Sequence, residues 1–350
     1  MKPALLALFL LALFRPAAGQ TYVITDLGVV NGRCVEPSYV NGHGQITGSF
    51  TSSSGRGAAF LYGDGITDLG SPGGIYSSSS GYCINNRGEI TGQYALPFSR
   101  KDKTQVYHAV VYSGGQMKDL GTLPGDTHSV GCGINNSGVV VGYVSSSKSD
   151  TTYYEDLSYR QRAFVYKDGK MTALGALGGE SSIAAAINDK GNITGSAETR
   201  RGEGYRHAFL YRAGRMLDLG ALPGYDSSDG TGINDHDLVT GDVQVSAGSR
   251  HAFLYDTGKM HDLGSLPGFT ESHGYGINNV GQIVGEAVAA NGKDHAFLYG
   301  SGRMADLNAL IPVGTGWVLK TASSINDKGQ IVGLGEYKGE RRGYLLTPKL

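Results

Sequence analysis

The stretch from Gly276 to Leu307 decides the reading of this chain. It begins G-I-N-N-V-G-Q-I-V-G (276–285) and, after a short polar loop, continues H-A-F-L-Y-G-S-G-R-M-A-D-L (295–307). Asn278-Asn279-Val280-Gly281 has turn chemistry, because Asn tolerates and Gly freely adopts a left-handed backbone. Gln282 to Gly285 is rich in β-branched residues and reads as a strand. His295 to Tyr299 and Arg303 to Leu307 read as two more, joined by a Gly300-Ser301-Gly302 hairpin turn. With the segment ending at Ile277-Asn278, the unit holds four short strands.

The rest of the chain repeats this unit. The Asn of I-N-N/D-x-G-x-I-x-G falls at Asn41, Asn85, Asn135, Asn188, Asn234, Asn278 and Asn326, with spacings of 44, 50, 53, 46, 44 and 48. An A-F-L-Y variant begins at Ala59, Ala109, Ala163, Ala208, Ala252, Ala296 and Gly343. A D-L-G variant begins at Asp26, Asp68, Asp119, Ala173, Asp218, Asp262 and Asp306. Four strands per unit of roughly 40–50 residues specify a propeller blade. A right-handed β-solenoid is the alternative, but its coils are usually shorter and its ends need not complete a unit. Here they do. Tyr22 to Leu27 is a fourth strand with no first three, and the chain ends on three strands with no fourth. The expected fold is all-β: a seven-bladed β-propeller of four-stranded antiparallel blades, the last closed by the N-terminal strand.

The markers D-L-G, I-N-N-x-G-x-I-V-G and H-A-F-L-Y together resemble the HAF family of extracellular repeats. His207-Ala208-Phe209, His251-Ala252-Phe253 and His295-Ala296-Phe297 carry the naming tripeptide. Ala58 and Arg162 replace the His in two copies, and His108 is followed by Ala-Val. The resemblance implies an exported bacterial protein with a propeller fold and no single defined activity.

Export is also read from the N-terminus. Lys2 precedes an apolar run from Ala4 to Phe14, and small residues end at Gly19, the pattern of a secretory signal peptide at 1–19. An eleven-residue run is too short to span a bilayer, which needs about 20 residues. The expected domains are this leader and one propeller over 20–350, located outside the cell or in the periplasm. The net charge is −1, with no basic stretch, which argues against nucleic acid. Of the 350 residues 56 are Gly and only 10 Pro, as tight β turns require. No membrane span, no cofactor and a monomer are expected. Cys34, Cys83 and Cys132 are an odd count at non-equivalent repeat positions, and read as small buried residues in preference to a bridge.

The recurrent His precedes an Asp by eleven residues at His108/Asp119, His207/Asp218, His251/Asp262 and His295/Asp306. Where Arg162 replaces the His, Ala173 replaces the Asp, and across the closed blade Arg342 would face Asp26. A relation present in most blades reads as a structural hydrogen bond, since catalysis needs one asymmetric constellation. Asn234-Asp235-His236-Asp237 has calcium-loop character, but the same turn reads Asn-Asn-Val-Gly elsewhere, so it forms without an ion. The sequence has no Gly-rich phosphate loop, zinc spacing or isolated nucleophile motif.

Candidate binding residues lie in the loops between each fourth strand and the next Ile-Asn: Tyr76, Asp126, His128, Glu180, Tyr225, Asp226, Asp229, Phe269, Glu271 and His273. Seven such loops should emerge on one face near the channel and form a polar, aromatic rim. Two longer insertions, Tyr94 to Tyr107 and the Tyr-rich Val144 to Arg160, have the composition of interaction loops. The functional expectation is a non-enzymatic binding or scaffold propeller for a glycan or surface protein. The alternative is a polysaccharide hydrolase or lyase drawing on Asp126, His128, Asp226, Asp229, Glu271 and His273.

Overall fold

The structure is a computed structural model that describes residues 22–71, 77–97, 105–146, 160–200, 205–244 and 248–349. The proposed leader, Tyr76, half of the first insertion (98–104) and most of the second (147–159) lie outside the described residues. Seven antiparallel sheets follow one another around a ring, and the chain is a seven-bladed β-propeller. Six blades have four strands. Blade 1 gains a fifth, because Val29–Val30 pairs back onto its inner strand Arg33–Val40. In every blade the inner strand ends just before the repeat Asn, on an Ile or, in blade 1, on Val40, and each inner strand contacts those of both neighbours, blade 7 returning to blade 1.

The last blade is closed from both ends of the chain. Tyr22–Asp26 lies outside Glu340–Pro348, with Tyr22 opposite Pro348 and Asp26 opposite Tyr344. Leu27 then donates its N–H to the Gly343 carbonyl. Tyr22 is buried in the apolar cluster of blades 6 and 7, and burial pushes its hydroxyl pKa up to about 12.

Blade packing follows from the repeat markers. The aromatic of A-F-L-Y is fully buried in most blades, as Phe60, Phe164, Phe209, Phe253, Phe297 and Tyr344. Opposite it, the inner strand carries a β-bulge at the same position each time, for example between Gly131 and Gly133 or Gly274 and Gly276. The bulge drives the inner backbone against the Gly of the second strand. A Cβ on Gly142, Gly241 or Gly285 would sit 1.8 Å from an inner-strand carbonyl oxygen, so only glycine fits.

A recurring serine, not singled out in the sequence reading, joins one blade to the next. Ser129, Ser228 and Ser272 each accept the N–H of the preceding blade's A-F-L-Y alanine and donate to the carbonyl of its D-L-G glycine. All three serines are buried.

The asparagines form the centre of the ring. Each Nδ2 donates to the carbonyl of the next blade's equivalent Asn, from Asn41 through Asn85, Asn135, Asn188, Asn234 and Asn278 to Asn326, and from Asn326 back to Asn41. The Oδ1 atoms accept N–H groups of their own turns, as Asn234 does from His236 and Leu238. A second ring lies above the first. The side chains of Asn86, Asn136, Asp189, Asp235, Asn279 and Asp327 each accept the N–H of the preceding blade's equivalent residue. Gly42 interrupts this ring because it has no side chain.

The ring settles the calcium-like turn. Asp235 accepts Asp189 N–H and Asn279 Nδ2, and Asp237 accepts Nδ2 of both Asn188 and Asn192. These oxygens are occupied by protein donors. Asp237 stands where other copies have Gly and holds φ at +62°.

Removing Tyr22–Asp26 exposes the edge of Glu340–Pro348 and loses the Tyr22 core contact. We expect the unfolding midpoint of the whole ring to fall by about 10 °C, read by calorimetry as one transition. An unchanged midpoint contradicts closure by this strand. Asn234→Ala removes one donor and one doubly used acceptor from a buried site, and should cost about 3 kcal/mol in denaturant unfolding.

Candidate functional site

All inner strands run toward the asparagine ring, so the fourth-to-first loops lie at the opposite mouth of the channel. The mouth on the asparagine side is a polar cavity of about 140 Å³, lined by the two rings and by Tyr39. Its side-chain oxygens serve ring closure. Cys83 first, then the charges of Asp327, Asp189 and Asp235, hold the Tyr39 hydroxyl pKa far above the usual value.

At the loop mouth the structure separates the sequence-derived candidates. Asp126 is buried and pairs with Arg162, the residue that stands in for the repeat histidine. Having no Asp at position 173 to meet, Arg162 turns to this loop carboxylate. His128 stacks on Tyr107 and accepts its N–H at 3.3 Å. Tyr225 meets His251 Nδ1 at 3.0 Å, and Phe269 packs 5.0 Å from the His295 ring. Glu180 is exposed, 3.7 Å from Arg160. Asp226 donates its N–H to Gln244, and Glu271 pairs with Val288 in the sheet. Asp126, His128, Tyr225 and Phe269 thus cover the ends of third strands, which stand away from the axis. Of the candidates on inner strands, Asp229 and His273 lie further along the strand toward the asparagine ring than His128, Glu180 and Glu271.

The His–Asp relation is the structural bond expected. Nδ1 of His207 and His295 lies 2.8 and 2.7 Å from Asp218 and Asp306, and His108 and His251 pair likewise with Asp119 and Asp262. Arg342 approaches Asp26 at 3.8 Å. The same Asp oxygens accept the N–H two residues on, as Asp119 does from Gly121. Burial alone would raise the Asp119 pKa, but bonds from His108, Gly121 and Tyr94 outweigh it and hold the carboxyl below its ordinary value.

Asp229 and His273 occupy equivalent positions, five residues before the ring asparagine. In the other blades this position holds Glu36, Ser80, Val130, Ile183 and Thr321. Their partners on the second strand are Asp242 for Asp229 and Glu286 for His273. Elsewhere the partners are Ser49, Gln93, Tyr143, Ser196 and Leu334. Only blades 5 and 6 place ionisable side chains on both strands at this step.

These residues form one network across three blades. Arg250 Nη1 donates to Asp242 Oδ2 at 2.8 Å, and Asp242 is buried. His273 Nδ1 stands 3.7 Å from Asp242 Oδ1, an ion-pair distance beyond hydrogen-bond reach. The His273 and Tyr275 rings stack at 6.2 Å. Tyr275 donates to Glu286 Oε1 at 2.6 Å, and Thr321 donates to Glu286 Oε2 at 2.8 Å. Burial would lower the His273 pKa, yet Asp242 and Glu286 raise it. Burial and the neighbouring Asp242 charge raise that of Asp229, against Ser196, Arg206 and Arg250.

Asp242, Arg250, Tyr275 and Glu286 were missed because the sequence reading looked for function in loops. The signal available was departure from the repeat inside strands: V-T-G-D at 239–242 and I-V-G-E at 283–286.

The comparisons with known proteins bear on this half of the ring. The sequence model of a family described as "Protein of unknown function (DUF3466)" matches residues 176–344. That stretch runs from blade 4 into blade 7 and contains the whole network. No curated protein matches the chain. Among solved structures it is similar to an oligogalacturonate lyase in complex with manganese, with TM-score 0.61 and 12% identity over 95% of this chain and 97% of that one. A prolyl endopeptidase gives TM-score 0.55 at 9% identity over 95% of this chain and 51% of that one. The acylaminoacyl peptidase of Pyrococcus horikoshii gives 0.51 at 12% over 89% and 52%. The chain spans about half the length of these two peptidases. At such identities the likeness shows the fold. Among the described residues no three His, Cys, Asp or Glu side chains are grouped to hold a metal ion, and no helix is long and apolar enough to cross a membrane. The three cysteines are free thiols; burial pushes Cys83 up to about 11.

The raised His273 pKa has a definite sign. Its contribution to stability is complete below the unfolded value of about 6.5 and is lost as pH rises through the higher folded value. Between those values wild type should lose stability in chemical denaturation and a His273→Gln variant should lose less. Asp242→Ala should cost about 3 kcal/mol, because it leaves Arg250 and His273 without their half-buried counter-charge.

Proposed function

We propose that this protein is an exported HAF-type repeat propeller that binds a glycan at the loop mouth of its channel, through the network of blades 5 and 6. The observation that carries the reading is the asymmetry at one step of the inner strands. A seven-fold scaffold has no structural need for Asp229, Asp242, His273 and Glu286, since the other blades pair Glu36 with Ser49, Ser80 with Gln93, Val130 with Tyr143, Ile183 with Ser196 and Thr321 with Leu334, never two acidic or basic side chains. Half-buried polar groups that break a repeat are better explained by a ligand than by the fold.

Of the two partner classes open from sequence, the geometry favours a glycan. Protein interfaces draw on exposed aromatic and Arg side chains over a broad patch. Here Tyr225 and Phe269 are engaged with His251 and His295. What remains near the channel is a compact set of carboxylates, a guanidinium, an imidazole and a phenol, the donors and acceptors that match sugar hydroxyls.

A second reading, a polysaccharide hydrolase or lyase, is favoured by Asp229 and Asp242 facing each other across one strand pair. The Asp229 pKa is raised, while Asp242 lies against Arg250 and His273. A carboxyl pushed toward its neutral form beside one ion-paired to Arg250 suits an acid and a base. The oligogalacturonate lyase of similar fold makes acidic polysaccharide a sensible first substrate to try.

A glycan array probed with the mature protein, and with an Asp242→Asn, Glu286→Gln double variant, tests the binding reading. We expect a retained glycan whose affinity drops at least about tenfold in the variant. A wild type that retains none rejects it. Chain shortening of the retained glycan, absent with the variant, would replace binding by catalysis.

A further inference from the structure

Arg206 opens the third strand of blade 4, Arg206–Arg212, which packs against the inner strand of blade 5. Its Nε and Nη2 are buried and have no hydrogen-bond partner among the described residues. These two atoms form a single edge of the guanidinium. Their N–H groups point the same way and match the two oxygens of a carboxylate.

Elsewhere in this molecule that edge is filled from within. Arg162 presents Nε and Nη2 to Asp126, and Arg87 presents the same pair to Glu89. Among the described residues two carboxyls lie near Arg206, and neither closes its edge. Glu198, its partner across the strand pair, uses Oε2 to accept the N–H groups of Glu180 and Ser181. Asp229 lies close enough to sense the Arg206 charge, but it makes no hydrogen bond to this edge. A buried charged donor without an acceptor is costly and uncommon, and calls for a partner.

We propose that the Nε/Nη2 edge of Arg206 takes the carboxylate of an acidic sugar, so that the glycan bound at the loop mouth carries uronic acid. This rests on the glycan reading above and narrows it to one chemical class. A neutral sugar would offer the edge only hydroxyl oxygens, which bind a guanidinium more weakly than a carboxylate does. Arg250, partly exposed beside Asp242, adds positive charge on the same side.

Titration calorimetry with a galacturonate oligomer, its fully methyl-esterified form and a glutamate oligomer tests this, in wild type and in Arg206→Met. Wild type should bind the free acid about tenfold or more tighter than the ester. Arg206→Met should lose that preference while keeping residual affinity for both sugars. The ligand-free Arg206→Met protein should melt no lower than wild type, because the edge it removes has no partner among the described residues. A lower melting point would reveal a structural partner and overturn the proposal. Equal binding of acid and ester would overturn it while leaving the glycan reading intact. Tighter binding of the glutamate oligomer would overturn it in favour of an acidic peptide, and binding of neither saccharide would overturn it together with the glycan reading for this class.

Discussion

The structure depends on a closed circle of hydrogen bonds at the axis. Seven asparagine side chains each reach the carbonyl of the next, and the last bond, from Asn326 to Asn41, spans 285 residues of sequence. Closure constrains every blade at once. Seven buried carbonyls near the axis need donors, and the donor must come from the neighbouring blade because its own strand has turned away. Asparagine does this with Nδ2 while Oδ1 holds its own turn. Aspartate would supply the turn acceptor but not the donor, which explains why the first residue of the pair is always Asn and the second is Asn or Asp in six copies.

The other shared features follow from stacking blades so tightly. The bulge brings the inner backbone onto the second strand, so that strand needs glycine. The serine at the start of the inner strand ties the A-F-L-Y and D-L-G segments of the preceding blade. The D-L-G aspartate holds both its own turn and the repeat histidine. Each marker thus meets a local requirement and an inter-blade one, and it recurs because both requirements recur. Chemistry has room only where a copy departs from the pattern without weakening these bonds. Blades 5 and 6 do so at one step of the inner strand, and blade 4 contributes Arg206 beside it.

Much of the fold was legible because the hydrophobic and turn pattern repeats in register. The period gave the blade, and the incomplete ends gave the closing strand, later seen as Tyr22 opposite Pro348. The eleven-residue spacing of His and Asp correctly indicated a structural pair, since that spacing crosses one hairpin. The site was less legible. Loop residues such as Tyr225 and Phe269 looked free in sequence, but they cover third-strand histidines. Asp242 and Glu286 looked like ordinary strand residues. Whether a strand side chain meets a neighbour's charge depends on how adjacent blades are rotated, and no local pattern encodes that.

The sequence by itself determined the unit, its number of copies and how the ring closes, because turn geometry, strand alternation and repeat length are local properties that add up along the chain. Only the tertiary structure decided which departures from the repeat come together. Asp229, Asp242, Arg250, His273 and Glu286 are scattered over 58 positions, from 229 to 286. They become one network because neighbouring blades face each other across a packed interface. Among the described residues the Arg206 edge stands without a partner for a reason of the same kind: Glu198, across the strand pair, is held by the N–H groups of Glu180 and Ser181.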